Sequence, residues 1–131
     1  MGRDPWVKLR LLDDTIRLRL SRTDVVAASE QGVVEGQTRF PGGVSFRFAL
    51  EALPQGGAHA SYAADRLVVG LPAEDIVGWA GDDQAVSLHA EVPLDDGGRL
   101  KLLVEKDFQC LTGNPDEDQS DLFTNPEADR C

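Results

Sequence analysis

The feature that most constrains the fold of this chain is a period-two alternation of apolar and charged residues in successive short segments. Residues 6–12 read WVKLRLL and residues 16–20 read IRLRL. Because successive side chains of a strand point to opposite faces, this pattern predicts half-buried strands with one apolar and one charged face. The short segment Asp13–Thr15 between them predicts that the two strands form a hairpin.

Each predicted hairpin leads into a short helix, and each helix leads into two further strands. Ser21 and Asp24 have the spacing of a capping box, and Gly32 is a typical helix stop. Pro72 suits the first turn of a second helix, which is expected to run to about Trp79, with this side chain in the core. The remaining strands are predicted at residues 33–40, 44–51, 58–62, 66–71, 84–92 and 99–107. The order strand–strand–helix–strand–strand therefore occurs twice.

The two copies can be aligned in register. Residues 16–29 match residues 67–80 at one offset, and residues 45–51 match residues 99–105 at another. The matched helix start, with Asp24 over Asp75, is harder to obtain by chance than matched alternating strands. We therefore expect an internal duplication.

The fold class that follows is α+β. A length of 131 residues suits one domain, which we place at residues 1–113, with the duplicated units at about 6–51 and 58–105. Residues 114–131 hold six acids and one base without apolar periodicity, which indicates an acidic C-terminal tail. The eight strands are expected to form one eight-stranded antiparallel sheet or barrel with two short helices, or a split α+β layer.

The charge of the chain restricts its partners. Its 23 acidic and 13 basic residues give a net charge of −10, which argues against nucleic-acid binding through a basic surface. No apolar run approaches the roughly 20 residues that span a bilayer, so we expect no membrane partner. Residues 1–5 lack the apolar stretch of a signal peptide, so a cytoplasmic location is expected.

The basic residues of the strands are the main functional signal. Eight of the 13 alternate with apolar positions: Lys8, Arg10, Arg17, Arg19, Arg39, Arg47, Arg99 and Lys101. On a single sheet they would share one polar face with Glu35, Glu51, Glu91, Glu105 and His89. A solvated antiparallel sheet carries such residues for cross-strand pairing alone. On a concave face, however, the cations would converge and attract an anion, and arginine would give bidentate contacts.

The leading hypothesis is a non-enzymatic domain that binds an anionic, phosphate-like ligand on this face. The expected ligand-binding residues are Lys8, Arg10, Arg17, Arg19, Arg47 and Lys101. One alternative is a metal-dependent phosphohydrolase, with Glu51 and Glu105 as the candidates for holding the metal. Another is a protein–protein interaction module. The acidic tail offers a further use of the face, as an intramolecular lid.

Other chemistry has no local signature. The chain has no glycine-rich phosphate loop, no nucleophile elbow and no zinc-type spacing of cysteine and histidine, so we assign no cofactor and no catalytic residue. His89, His59 and Cys110 are residue types used in catalysis, but no spacing fixes a partner for them. Cys110 and Cys131 are not expected to form a disulfide bond in a reducing cytoplasm.

In architecture, a duplicated α+β unit that brings eight strands around charged residues resembles the CYTH, or triphosphate-tunnel, family over most of residues 6–107. That family acts on triphosphate compounds with a divalent metal and uses Glu-x-Glu-x-Lys on its first strand. The first strand here reads Val7-Lys8-Leu9-Arg10-Leu11 and lacks both glutamates. The resemblance therefore implies the fold but not the activity.

A second resemblance lies in the C-terminal part. Residues 104–111 read VEKDFQCL and are followed by Glu117-Asp118-Gln119-Ser120-Asp121 and by Asn125-Pro126. This pattern is similar to that of a family of small uncharacterised bacterial proteins. The likeness implies a bacterial origin and no particular activity.

Overall fold

A computed structural model of the chain describes residues 7–107, which form eight strands and two helices. The elements are β1 (Lys8–Leu12), β2 (Thr15–Leu20), α1 (Arg22–Gln31), β3 (Val33–Phe40), β4 (Val44–Leu53), β5 (His59–Ala63), β6 (Arg66–Pro72), α2 (Ala73–Ala80), β7 (Ser87–Pro93) and β8 (Arg99–Lys106). Neither of the helices within 7–107 has the length and apolar character needed to cross a membrane. The acidic tail at 114–131 and both cysteines lie outside the described residues, so our expectations for them stay predictions.

The strands form two separate four-stranded sheets. Sheet A has the order β1-β2-β8-β7, and sheet B has the order β3-β4-β6-β5. In each sheet, one antiparallel hairpin from each half of the chain meets the other along a parallel central pair, β2 with β8 or β4 with β6. The α+β class is confirmed, but the expected single eight-stranded antiparallel sheet or barrel is wrong, because the sheets are mixed and separate.

The reason for this difference lies in the connections. The helix α1 leads the chain from β2 in sheet A to β3 in sheet B, and α2 leads it from β6 in sheet B to β7 in sheet A. A period-two pattern specifies a strand and its buried side, but it does not specify the neighbour of that strand. The parallel pairs join strands that are not consecutive in the sequence, and no local pattern indicates them.

The two helices begin differently. The Ser21 hydroxyl accepts a hydrogen bond from the Asp24 backbone N–H at 3.2 Å, and the Asp24 carboxylate accepts one from the Ser21 N–H at 3.4 Å, which completes the predicted capping box. Gly32 ends α1 with φ of 84°, a left-handed conformation that favours glycine. The helix α2 has no side-chain cap at Pro72. Its buried Trp79 instead donates its indole N–H to the Val86 carbonyl at 3.1 Å, and this core position was predicted.

One hydrophobic core lies between the two sheets and the helices. The core side chains of the sheets are Ile16, Leu18, Leu20, Leu102 and Val104 from sheet A, and Val34, Phe48, Leu50, Leu67, Val69 and Leu71 from sheet B. The helices add Val25, Ala28, Ile76 and Trp79. Because both sheets turn apolar faces to the same core, their other faces point outward and away from each other.

The two sheets pair their strands in the same register. Arg19 opposite Glu105 in sheet A corresponds to Gly70 opposite Glu51 in sheet B, at the two offsets found in the sequence. A backbone hydrogen bond is also found at equivalent positions of the two sheets. The Lys101 N–H donates to the Asp14 carbonyl at 2.8 Å in sheet A, and the Arg47 N–H donates to the Asp65 carbonyl at 2.9 Å in sheet B. Each strand position of sheet A therefore has an equivalent in sheet B. That a duplication produced this equivalence stays a prediction.

Candidate anion-binding face

The outward face of sheet A carries most of the cations that the sequence pattern singled out. We call its six cations the basic face: Lys8, Arg10, Arg17, Arg19, Arg99 and Lys101. In β2 the alternate residues Ile16, Leu18 and Leu20 are buried in the core. The pleat of the strand therefore directs Arg17 and Arg19 outward.

Two arginines of this face share one carboxylate. Arg17 Nε lies 3.3 Å from Glu105 Oε1, and Arg19 Nη2 lies 3.5 Å from the same oxygen. Lys8 Nζ lies 2.9 Å from Asp107 Oδ2. Lys8 and Arg10 each make further interactions. At this end of the described face, Lys8, Arg17 and Arg19 contact two carboxylates that are each only 15% exposed.

Two concavities lie side by side on the face. The smaller has a volume of about 90 Å³ and is lined by Lys8, Leu9, Arg10, Arg17 and Arg19. The larger has a volume of about 300 Å³ and is lined by Thr15, His89, Ala90, Glu91, Lys101, Leu102 and Leu103. Arg17 stands opposite Leu103 in the β2–β8 register, so the two concavities adjoin. Guanidinium and ammonium donors around a small depression can hold a phosphate or a carboxylate through charge-assisted hydrogen bonds.

The structure brings together five of the six predicted ligand-binding residues. Lys8, Arg10, Arg17 and Arg19 line the smaller concavity, and Lys101 lines the larger. Arg47 lies instead on the outward face of sheet B, and so does Arg39. The expectation that all eight alternating cations share one side of one sheet is therefore wrong. The alternation identifies the outward side of a strand, but it does not show which sheet the strand joins.

The two glutamates proposed for a metal are also divided between the sheets. Glu105 belongs to sheet A and Glu51 to sheet B, each on the outward face of its own sheet. They do not face each other, since the core separates the two faces. Within residues 7–107, no group of three or more histidine, cysteine, aspartate or glutamate side chains is placed to hold a metal ion.

Sequence reasoning missed Thr15, Leu103 and Asp107 as parts of this face. Leu103 stands opposite His89 in β7, and both line the larger concavity. The signal that could have found Leu103 is its apolar side chain at an outward position, between Lys101 and Glu105. Asp107 follows the last strand and carries no pattern, so only the three-dimensional contact with Lys8 reveals it.

On the outward face of sheet B, Arg66 lies between two glutamates. Arg66 Nη2 lies 2.8 Å from Glu35 Oε2 and 3.7 Å from Glu51 Oε2. The hydrogen bond with Glu35 raises the pKa of Arg66 above its usual value. Loss of solvent around the guanidinium opposes this rise, and the charges of both glutamates add to it. The centre of this face consists of the buried residues Ala49, Val68 and Gly70.

Fold and site together define a small α+β domain with two mixed sheets and one basic outward face. The chain belongs to the Family of unknown function DUF7009, whose profile matches residues 7–127. The match covers the two sheets and continues through Glu127 in the acidic tail. No curated protein and no solved structure matches the chain significantly.

Proposed function

We propose that this domain is a binding module that holds a phosphate-like anion in the smaller concavity of the basic face. The observation that supports it best is the difference between equivalent positions of the two sheets. The four cations Lys8, Arg10, Arg17 and Arg19 correspond to His59, Ser61, Val68 and Gly70. The same strand pairing therefore forms without any lysine or arginine at these four positions, so the fold does not require the cluster.

The cross-strand pairs of the cluster give a second argument. In the β1–β2 hairpin, Lys8 stands opposite Arg19 and Arg10 stands opposite Arg17. Like charges directly opposite each other destabilise a sheet. Glu105 and Asp107 offset part of this repulsion. An anion bound between the strands offsets more of it and gains contacts from several donors at once.

The alternative is a metal-dependent phosphohydrolase of the CYTH type. It would use the same basic face to hold the substrate, but it would also need a metal beside that face. Glu105 lies there and Glu51 does not. The two functions differ in one measurable property, because the binding module holds its anion without a metal and the hydrolase needs the metal.

The test is isothermal titration calorimetry of the full chain with pyrophosphate and tripolyphosphate at low salt, with and without magnesium. We expect metal-independent binding that Arg17→Gln/Arg19→Gln weakens at least tenfold, because each charge-assisted hydrogen bond contributes about 1.5–3 kcal/mol. The matched control is Arg39→Gln/Arg47→Gln, which removes the same charge from sheet B and should change the affinity less than about twofold, because neither side chain lines the concavity. Absence of binding by the wild-type chain, or equal losses in both variants, would overturn the proposal. Binding that requires magnesium would favour the hydrolase.

A further inference from the structure

The basic face and an acidic segment of opposite charge belong to the same chain. We propose that residues 114–127 of this chain occupy the smaller concavity when no external anion is bound. The acids of this segment are Asp116, Glu117, Asp118, Asp121 and Glu127. The inference rests on the anion-binding role proposed above, since the segment acts there as an internal competitor of the external anion.

The charge distribution supports this occupant. On the described part of the outward face of sheet A, the six cations of the basic face are accompanied by three carboxylates: Glu91, Glu105 and Asp107. The whole chain carries a net charge of −10, so this excess is opposite in sign to the rest of the molecule. A local field of this sign attracts the most acidic segment within reach, because complementary charge steers and orients association.

The path of the chain places the segment within reach. At the end of sheet A, the Asp107 backbone N–H donates to the Leu20 carbonyl at 2.9 Å, and the Asp107 carboxylate contacts Lys8. The chain therefore continues from the edge of the smaller concavity. The nine residues from there to Asp116 can span up to ~30 Å, whereas a sheet of four strands is only about 15 Å across. A short tether gives an effective concentration on the order of millimolar, so even weak individual ion pairs suffice for occupancy.

The family match is an independent observation on the same segment. The family profile matches residues 7–127, a range that includes the acidic segment together with both sheets. The profile therefore does not end at the last strand, as is expected if the segment works together with the basic face.

The first test measures competition in the full chain. The variant Asp116→Asn/Glu117→Gln/Asp118→Asn/Asp121→Asn removes four charges from the segment. We expect it to bind tripolyphosphate about tenfold more tightly than the wild type at low salt, and we expect the difference to shrink at high salt because the ion pairs are screened. The matched control, Glu30→Gln/Glu74→Gln/Asp83→Asn/Asp95→Asn, removes four exposed charges elsewhere and should change the affinity less than about twofold.

The second test detects occupancy without any added anion. A zero-length carbodiimide reagent joins a lysine to a carboxylate only where the two are in contact, and the chain has just three lysines: Lys8, Lys101 and Lys106. At low salt, we expect mass spectrometry to find Lys8 joined to a carboxylate of residues 116–121. When isotopically labelled and unlabelled protein are mixed, the crosslink should join residues of the same chain. Lys8→Arg keeps the charge and should abolish that crosslink.

The two tests separate this inference from the proposed function. If the wild type binds tripolyphosphate but the neutralised variant binds it no more tightly and no crosslink forms, the inference is overturned and the anion-binding role stands. If the crosslink forms but no variant binds tripolyphosphate, the segment occupies the face and the anion-binding role is overturned.

Discussion

The outward faces of the two sheets balance charge in opposite ways around an equivalent glutamate. On sheet A, Glu105 is shared by Arg17 and Arg19. On sheet B the equivalent Glu51 shares one cation, Arg66, with Glu35. One carboxylate thus serves two arginines on the first face, and one arginine serves two carboxylates on the second. The strand pairing fixes where the glutamate stands, whereas the residues of the neighbouring strands decide which charge is in excess.

The inward faces, by contrast, contain two equivalent cross-strand pairs in which a similar volume is divided differently between the two partners. Opposite Val34 in sheet B stands Leu50, and at the equivalent place in sheet A Leu88 stands opposite Val104, so the two residue types are exchanged. A second pair is Gly36 with Phe48 in sheet B and Ala90 with Leu102 in sheet A. At these two pairs the sheets are close to interchangeable toward the core, whereas their outward faces differ in charge, which is where the differences that matter for binding are expected.

The largest expected effect tests whether the Gly36–Phe48 pair of sheet B and the Ala90–Leu102 pair of sheet A fill the core in equivalent ways. A Cβ atom at Gly36 would meet the Phe48 ring at 2.6 Å, so Gly36→Ala forces this buried ring to move. We expect a loss of about 1–3 kcal/mol in the free energy of unfolding by urea, as is usual for overpacking. Adding Phe48→Leu recreates the Ala–Leu pair of sheet A and should recover most of that loss.

Gly57→Ala is the control for this experiment, because nothing lies within 4 Å of a Cβ atom placed there. It should leave the stability nearly unchanged. A double variant that is no more stable than Gly36→Ala alone would show that the two core pairs are not equivalent, and the comparison of the inward faces would fail.

The next effect concerns the outward glutamates. Glu105→Gln keeps the size of the side chain but removes the charge that Arg17 and Arg19 share. We expect tripolyphosphate to bind about tenfold more tightly, equivalent to about 1.4 kcal/mol, because both guanidinium groups become available to it. The midpoint of thermal unfolding without anion should fall, since the repulsion on the face is then offset less. Calorimetry and a thermal melt measure the two effects.

Glu51→Gln is the matched change on sheet B and should leave the tripolyphosphate affinity unchanged. Arg66 keeps its hydrogen bond with Glu35 in that variant. If both glutamate variants increased the affinity equally, the gain would come from net charge alone, and the basic face would lose its distinction from the face of sheet B.

The positions of most elements could be predicted from the sequence because their causes are local. The range of β3 agrees with the prediction, and α1 has the expected cap at Ser21 and stop at Gly32. The pairing of strands could not be predicted. The parallel contact of β2 with β8 depends on how the helices carry the chain between sheets, and that of β4 with β6 depends on β5 taking the edge of sheet B. The same holds for the site. The outward position of Arg17 and Arg19 could be predicted from the alternation within one strand, whereas placing Arg47 required knowing which sheet its strand joins.

The smallest expected effect concerns the hairpin turns at equivalent ends of the two sheets. The β5–β6 turn holds Ala64 at φ of 52° and Asp65 at 62°, whereas in the β1–β2 turn only Asp13, at 49°, has a positive φ. Alanine is strained in this left-handed region by about 1–2 kcal/mol, and aspartate visits it more readily. Ala64→Gly should therefore raise the free energy of unfolding by about 0.5–1 kcal/mol, after subtracting the greater freedom of glycine in the unfolded chain. Asp13→Gly should change it less. Urea denaturation of both variants measures the difference, and equal effects would mean that the residue type at the first turn position does not distinguish the two hairpins.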